Sequence, residues 1–150
     1  MTEDRDYMID DYLEMPYWII DILPRRVSKE DGGRYFKVEE YFLKHPEVSQ
    51  LGLKFCNILL KLNCYYDIHV CHDTENWQKN PEPADLVRMI TMCMSEERAN
   101  SCPLYILIPA TDTMIGINGD DTYMTLYHPT EELLQLLRLL VTTEGLFLWQ

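Results

Sequence analysis

Three short apolar segments follow one another in the last third of the sequence, and they constrain the fold more than any other feature. Leu104–Ile108, Met114–Ile117 and Thr122–Tyr127 are rich in β-branched and aromatic residues, which are typical of strands. The connections between them are too short for a crossover helix, so the three strands are predicted to form an antiparallel meander. The dipeptide Asn118-Gly119 indicates a hairpin between the last two, because both residues tolerate positive φ.

Helical periodicity occurs on both sides of this meander. The clearest helix is predicted over 51–62, where apolar residues recur every three or four positions. Further helices are predicted over 34–44 and 84–94, and a last helix is predicted with Pro129 as its first residue and Gly145 at its end. The last helix carries more leucines than one-sided burial requires. It is therefore expected to be central in the fold or to share its outer flank with a partner.

Three more segments have the composition of strands: 17–23, 65–71 and 146–149. The element order β-α-α-β-α-β-β-β-α-β predicts an α+β fold with a mostly antiparallel sheet of about six strands and helices packed on one face. A doubly wound nucleotide-binding sheet is disfavoured, because no helices separate the strands of the meander and the sequence has no glycine-rich phosphate loop. We therefore expect no cofactor.

Length and composition predict a single domain. The 150 residues are 47% hydrophobic and 25% charged, which is typical of one globular unit. We expect residues 1–15 to form an acidic N-terminal arm, as a short helix or a docked segment, and residues 16–150 to form one α+β domain. The acidic start differs from a secretory signal, no apolar run could span a membrane, and the five cysteines are dispersed. These features predict a cytoplasmic protein with reduced thiols and no membrane partner.

The distribution of charge bears most directly on function. The formal net charge is −12, and the segments 1–15 and 99–150 each carry six acidic residues and one arginine. Residues 24–44 form the net-positive region. A nucleic-acid-binding protein needs a basic face to displace counterions from phosphates, so binding to nucleic acid is not expected. A basic protein partner is expected instead, because complementary charge steers association.

A metal site is the sharpest chemical hypothesis. A thiol, two imidazoles and two carboxylates fall within the segment 67–73, and we take His69, Cys71 and His72 as the candidate metal ligands. Alternate residues of a strand lie roughly 6.7 Å apart, which permits shared coordination of an ion but not direct Cys-His proton transfer. The alternative interpretation is the polar face of an edge strand that leads into a loop.

Three further groups are candidate binding residues. Arg25 and Arg26 could recognise a carboxylate or phosphate, or could lie in a solvated loop. Trp77 stands alone in a polar loop, where it is either an interaction anchor or a plug packed against the core. Asp120 and Asp121 could bind a cation or act as acid and base, but aspartate is also a favoured turn residue.

Parts of the chain resemble a family of small acidic bacterial proteins. The resemblance rests on Tyr17–Pro24, on Asn118–Tyr127 and on Thr143–Trp149. It implies a bacterial, intracellular, single-domain protein, and it brings no known activity, cofactor or catalytic residue.

Three functional hypotheses follow from these observations. The first is a non-enzymatic interaction domain, such as an immunity or antitoxin-like inhibitor, that presents an acidic surface to a basic partner. The second is a metal-dependent protein or enzyme that uses the Asp67–Asp73 region. The third is a homo-oligomeric structural or regulatory domain, for example a homodimer formed through the last helix or the final strand. The absence of a catalytic motif favours the non-enzymatic interpretation.

Overall fold

The computed structural model describes residues 9–28, 30, 32–73, 76–95 and 103–150. Residues 9–13 are helical, and a turn of 3₁₀-helix spans Pro109–Thr111. The other helices are α1 (Gly32–Lys44), α2 (Pro46–Ser49), α3 (Leu51–Asn63), α4 (Pro83–Cys93) and α5 (Glu131–Thr143). The strands are β1 (Tyr17–Asp21), β2 (His69–Cys71), β3 (Gln78–Lys79), β4 (Leu104–Ile108), β5 (Thr113–Ile117), β6 (Met124–Tyr127) and β7 (Phe147–Trp149). The predicted α+β class is confirmed.

The strands form one antiparallel sheet of seven strands in the order β3-β2-β4-β5-β6-β1-β7. The predicted meander of β4, β5 and β6 is confirmed. The additional strand is β3, in a segment predicted to be a loop. Two hydrogen bonds between Asn80 and Ile68 hold this segment beside the chain before β2. The backbone N–H of Asn80 donates to Ile68 O at 2.8 Å, and the side-chain Oδ1 of Asn80 accepts from Ile68 N at 2.9 Å.

The hairpin between β5 and β6 is present, but its turn differs from the prediction. Within the described chain, positive φ occurs at five residues, and neither Asn118 nor Gly119 is among them. Asn118 instead accepts two hydrogen bonds: its side-chain Oδ1 from Asp120 N at 3.1 Å and its backbone O from Asp121 N at 3.0 Å. The connection is therefore a six-residue loop from 118 to 123, closed by the asparagine side chain rather than by a mirror-image turn.

The main core lies between one face of the sheet and the helices α3, α4 and α5. Helix α3 buries every apolar residue that its periodicity predicted: Leu51, Phe55, Ile58, Leu59 and Leu62. The strands supply alternate residues to the same layer, among them Ile20, Ile106, Ile115 and Leu126. Helix α5 begins after Thr130, whose hydroxyl accepts from Leu133 N at 3.2 Å, and not at Pro129 as predicted.

The opposite face of the sheet is covered in part by residues 9–13. Ile9 and Tyr12 are buried there against Leu107 and Met114, with Met15, Trp77, Tyr105 and Tyr127 packed around them. The described part of the predicted N-terminal arm is therefore a short docked helix, and residues 1–8 of that arm lie outside the described residues.

Candidate functional site

A cavity of about 620 Å³ opens on the second face of the sheet, next to the helical residues 9–13. Its floor is built from alternate residues of neighbouring strands, because alternate side chains of a strand share one face. Tyr17 and Ile19 of β1 pair with Tyr127 and Thr125 of β6, and Trp149 of β7 pairs with Ile19. The walls are Leu13, the loop after β1 and the start of α1.

We call this space the aromatic cavity, because six rings line it: Tyr17, Tyr35, Phe36, Tyr123, Tyr127 and Trp149. The rings of Tyr17 and Tyr127 lie 6.1 Å apart and are tilted against each other. The indole Nε1 of Trp149 donates to Leu23 O at 2.9 Å, which holds the loop after β1 against β7. The volume is in the range of about 300–1,000 Å³ that is common for small-molecule sites.

Asp21 is the buried carboxylate of this cavity, with 4% of its surface exposed. Its Oδ1 accepts a hydrogen bond from Ile22 N at 2.7 Å. Burial raises the pKa of Asp21 above its usual value, the nearby Glu39 carboxylate adds to the rise, and hydrogen bonds from Ile22, Leu23 and Trp149 oppose it. The only sequence signal for Asp21 was its position in an otherwise apolar strand.

A second carboxylate, that of Glu39, lies behind the cavity wall and is hydrogen-bonded to Tyr35 of that wall. The Tyr35 hydroxyl donates to Glu39 Oε2 at 3.0 Å, and the Thr122 hydroxyl donates to the same oxygen at 3.4 Å. Burial, with the neighbouring acids, raises the pKa of Tyr35 and of Tyr123 to about 12 in each case. Both hydroxyls are therefore protonated at neutral pH. Glu39 was not predicted, since charged residues on a helix are usually solvated.

The structure separates the two candidate aspartates of the β5–β6 loop. Asp121 is partly buried, and its pKa is raised by burial and by the charges of Glu39 and Asp120. Asp120 is exposed and lies beside a shallow groove along α1. Their backbone N–H groups close the loop on Asn118, which is the turn role that the sequence also allowed.

Arg25 and Arg26 lie at the rim of the aromatic cavity, and both are exposed. Neither forms an ion pair with any residue that the structure describes. The sequence left open whether these two arginines form an anion-binding element or lie in a solvated loop. The structure describes them on an exposed loop at the mouth of a cavity, where an anion could reach them, so anion binding stays a prediction.

The structure places the candidate metal ligands in β2 and just beyond its end. His69 and Cys71 lie on the same face of β2 and are buried, but His72 is exposed beyond the end of the strand. The Cys71 thiol donates to Asp73 Oδ1 at 3.4 Å. Within the described ranges, no three histidine, cysteine or acidic residues are grouped so that they could hold a metal ion. The metal hypothesis stays a prediction. The alternative interpretation placed these residues on an edge strand, but β2 lies between β3 and β4 and is an inner strand.

Trp77 packs against the cluster on the second face of the sheet that contains Tyr12 and Met114. Its indole Nε1 is buried and has no hydrogen-bond partner among the described residues. This position matches the interpretation of Trp77 as a plug that packs the loop onto the core, rather than as an exposed anchor.

Residues 9–16, the β4–β5 connection and the segment that leads into α5 meet at one end of the sheet. The Tyr12 hydroxyl donates to the Asp112 carboxylate, and His128 N donates to Pro16 O at 3.1 Å. The ring Nδ1 of His128 donates to the carbonyl oxygen of Asp112 at 2.9 Å. We call this end of the sheet the acidic pole; the exposed acids in or next to these segments are Asp10, Asp11, Glu14, Asp112, Glu131 and Glu132.

The acids of the pole are largely uncompensated. Asp112 lies 3.8 Å from the His128 ring, and the other five acids form no ion pair with a described residue. The sequence indicated the two acidic segments separately. It gave no sign that residues 10–14 lie against the segment from 112 to 132, because this juxtaposition depends on the docking of residues 9–13.

Comparisons with protein-family models, with curated proteins and with solved structures give no match to this chain. No helix of the described residues has the length and apolar character needed to cross a bilayer.

Proposed function

We propose that the chain is a non-enzymatic interaction domain that binds a basic protein partner through the acidic pole. The observation that carries the proposal is the convergence of two acidic segments, distant in sequence, through the contacts of Tyr12 and His128 with the β4–β5 connection and Pro16. Immunity and antitoxin-like inhibitors, which mask basic partners, are one class of protein with this property.

Electrostatics support this role in two ways. Carboxylates grouped on one surface produce a field that attracts a cationic partner and raises its association rate. The same carboxylates repel one another, so a cationic partner that neutralises them relieves the repulsion. Because exposed charges are screened over about 8 Å at physiological ionic strength, binding is expected to weaken steeply with salt.

The experiment that tests the proposal compares three forms of the chain as bait in the lysate of its own organism. The pole variant carries Asp10→Asn, Asp11→Asn and Glu14→Gln. The control variant carries Glu30→Gln, Glu47→Gln and Glu82→Gln, which removes the same charge from exposed acids outside the pole.

We expect the wild type and the control variant to recover one basic protein in stoichiometric amount, and the pole variant to lose it. Equal recovery by the pole and control variants contradicts the proposal, as does the absence of any stoichiometric partner.

A second candidate function is the homodimer. Leu139 on the outer flank of α5 is 69% exposed and Phe147 of the edge strand β7 is 43% exposed, so the last helix and the final strand each present apolar area that a second copy could cover. Light scattering of the wild type at about 100 µM tests this candidate. A dimeric mass that Leu139→Lys reduces to the mass of a monomer supports the homodimer. A monomeric mass of the wild type contradicts it.

A further inference from the structure

We propose that the aromatic cavity binds a small planar aromatic molecule that carries one anionic group, either a carboxylate or a phosphate. The ring of the ligand packs on the floor formed by Tyr17, Tyr127 and Trp149, and its anion lies at the rim with Arg25 and Arg26. This site is separate from the acidic pole, and it stands whether or not the pole binds a protein.

The floor is suited to a flat apolar body. Three adjacent strands present tyrosine and tryptophan rings on the same face, and Phe36, which is 64% exposed, forms a wall. Aromatic rings interact favourably with a further ring in stacked or edge-to-face geometry, over and above the burial of apolar area. Exposed rings around a concavity of this size are typical of a ligand site.

The arginines specify the charge of the ligand. Arg25 and Arg26 both line the cavity, and in a chain of net charge −12 neither is paired with a described acid. Guanidinium groups bind carboxylate and phosphate oxygens through two parallel hydrogen bonds. Two adjacent arginines at an aromatic cavity therefore favour an anion over a neutral or cationic group.

Asp21 fixes the orientation of the ligand. Its carboxylate is buried on the floor side and already accepts a hydrogen bond from Ile22 N. An anion placed next to Asp21 would be repelled, whereas an anion beside the exposed Arg25 and Arg26 meets positive charge and remains in contact with water. The ring of the ligand therefore points inward and its anionic group points toward the arginines.

The test measures the dissociation constants of four naphthalene probes by isothermal titration calorimetry. The probes are 2-naphthoate, 2-naphthyl phosphate, neutral 2-naphthalenemethanol and cationic 2-naphthylmethylammonium. The test variant is Arg25→Gln with Arg26→Gln, and the matched control is Arg34→Gln with Lys37→Gln, which removes two exposed positive charges that do not line the cavity. A third variant, Thr125→Trp, fills the floor.

We expect at least one anionic probe to bind at one site and about tenfold more tightly than the neutral probe, because a hydrogen bond to a charged group contributes that much or more. The Arg25/Arg26 variant should lose this advantage, the Arg34/Lys37 variant should keep it, and Thr125→Trp should abolish binding. The comparison of the two anions decides between carboxylate and phosphate.

Four results overturn the proposal: no binding of either anion at millimolar concentration, equal affinity for neutral and anionic probes, an unchanged anion affinity in the Arg25/Arg26 variant, or tightest binding of the cation. The arginines lie on an exposed loop, so both charge variants are expected to fold. Circular dichroism confirms this before each titration.

Discussion

The Tyr12 hydroxyl donates a hydrogen bond to the carboxylate of Asp112, which joins the N-terminal helical residues to the β4–β5 connection across 100 positions of sequence. Tyr12 is 2% exposed, so the hydroxyl reaches an exposed acid from a buried ring. Burial and the charge of Asp112 both raise the pKa of Tyr12, which keeps this hydroxyl a donor. This contact and the burial of Ile9 hold Asp10, Asp11 and Glu14 at the acidic pole.

Tyr12→Phe removes this hydrogen bond and leaves the ring in place. We expect a loss of about 1.5–3 kcal/mol in the free energy of unfolding, since the acceptor is a carboxylate. We also expect faster amide exchange at residues 9–13. Tyr65→Phe, at a ring that is 68% exposed, is the control and should change stability by less than about 0.5 kcal/mol. Equal effects of the two substitutions would show that the contact does not hold the helix.

The raised pKa of Asp21 predicts that the free energy of unfolding depends on pH. A carboxyl whose pKa is higher in the folded than in the unfolded protein binds its proton more readily when folded. Below pH 3.8, the ordinary pKa of the group, this contribution to the free energy of unfolding is therefore complete. It is lost as the pH rises through the raised pKa of Asp21 in the folded protein. Asp21→Asn keeps the acceptor for Ile22 N and removes the titration.

Urea unfolding of the wild type and of Asp21→Asn, at intervals of about one pH unit between pH 7 and pH 4, measures this contribution to the free energy of unfolding. We expect the wild type to gain stability relative to Asp21→Asn as the pH falls. The difference between the two curves removes the effect of the other acids. Parallel curves would mean that Asp21 titrates as a solvated aspartate.

The sequence predicts the core-facing side of α3 well, because the apolar residues of this helix recur every three or four positions. Leu59 is fully buried and Leu53, on the other side of α3, is 56% exposed, as their positions in the periodic pattern indicate. The aromatic cavity and the acidic pole could not be predicted in the same way. Both are built by residues that come together only through the strand order, with β1 between β6 and β7, and through the docking of residues 9–13.

Substitution on α3 checks this assignment of faces. Leu59→Ala should lower the free energy of unfolding by about 2–5 kcal/mol, because it leaves a cavity in the main core. Leu53→Ala removes the same atoms from an exposed position and should change it by less than about 1 kcal/mol. Comparable losses at the two positions would contradict the described packing of α3.

The N-cap of α5 provides a further prediction. Thr130→Ala removes the hydroxyl that accepts from Leu133 N and should cost about 1 kcal/mol in thermal or chemical unfolding. Thr143→Ala, at the other end of the same helix, is the control, since its hydroxyl donates only to the helix carbonyl of Leu140. A cost at Thr143 that equals the cost at Thr130 would be inconsistent with the observed cap.

The acidic pole is tested most directly by titrating an arginine hexapeptide into the ¹⁵N-labelled protein and mapping the amide shifts. We expect saturable shifts centred on residues 10–14, 112 and 131–132. These shifts should weaken with salt and diminish in the variant with Asp10→Asn, Asp11→Asn and Glu14→Gln. Shifts that centre on Glu47 and Glu82, or that spread evenly over the exposed acids, would contradict it.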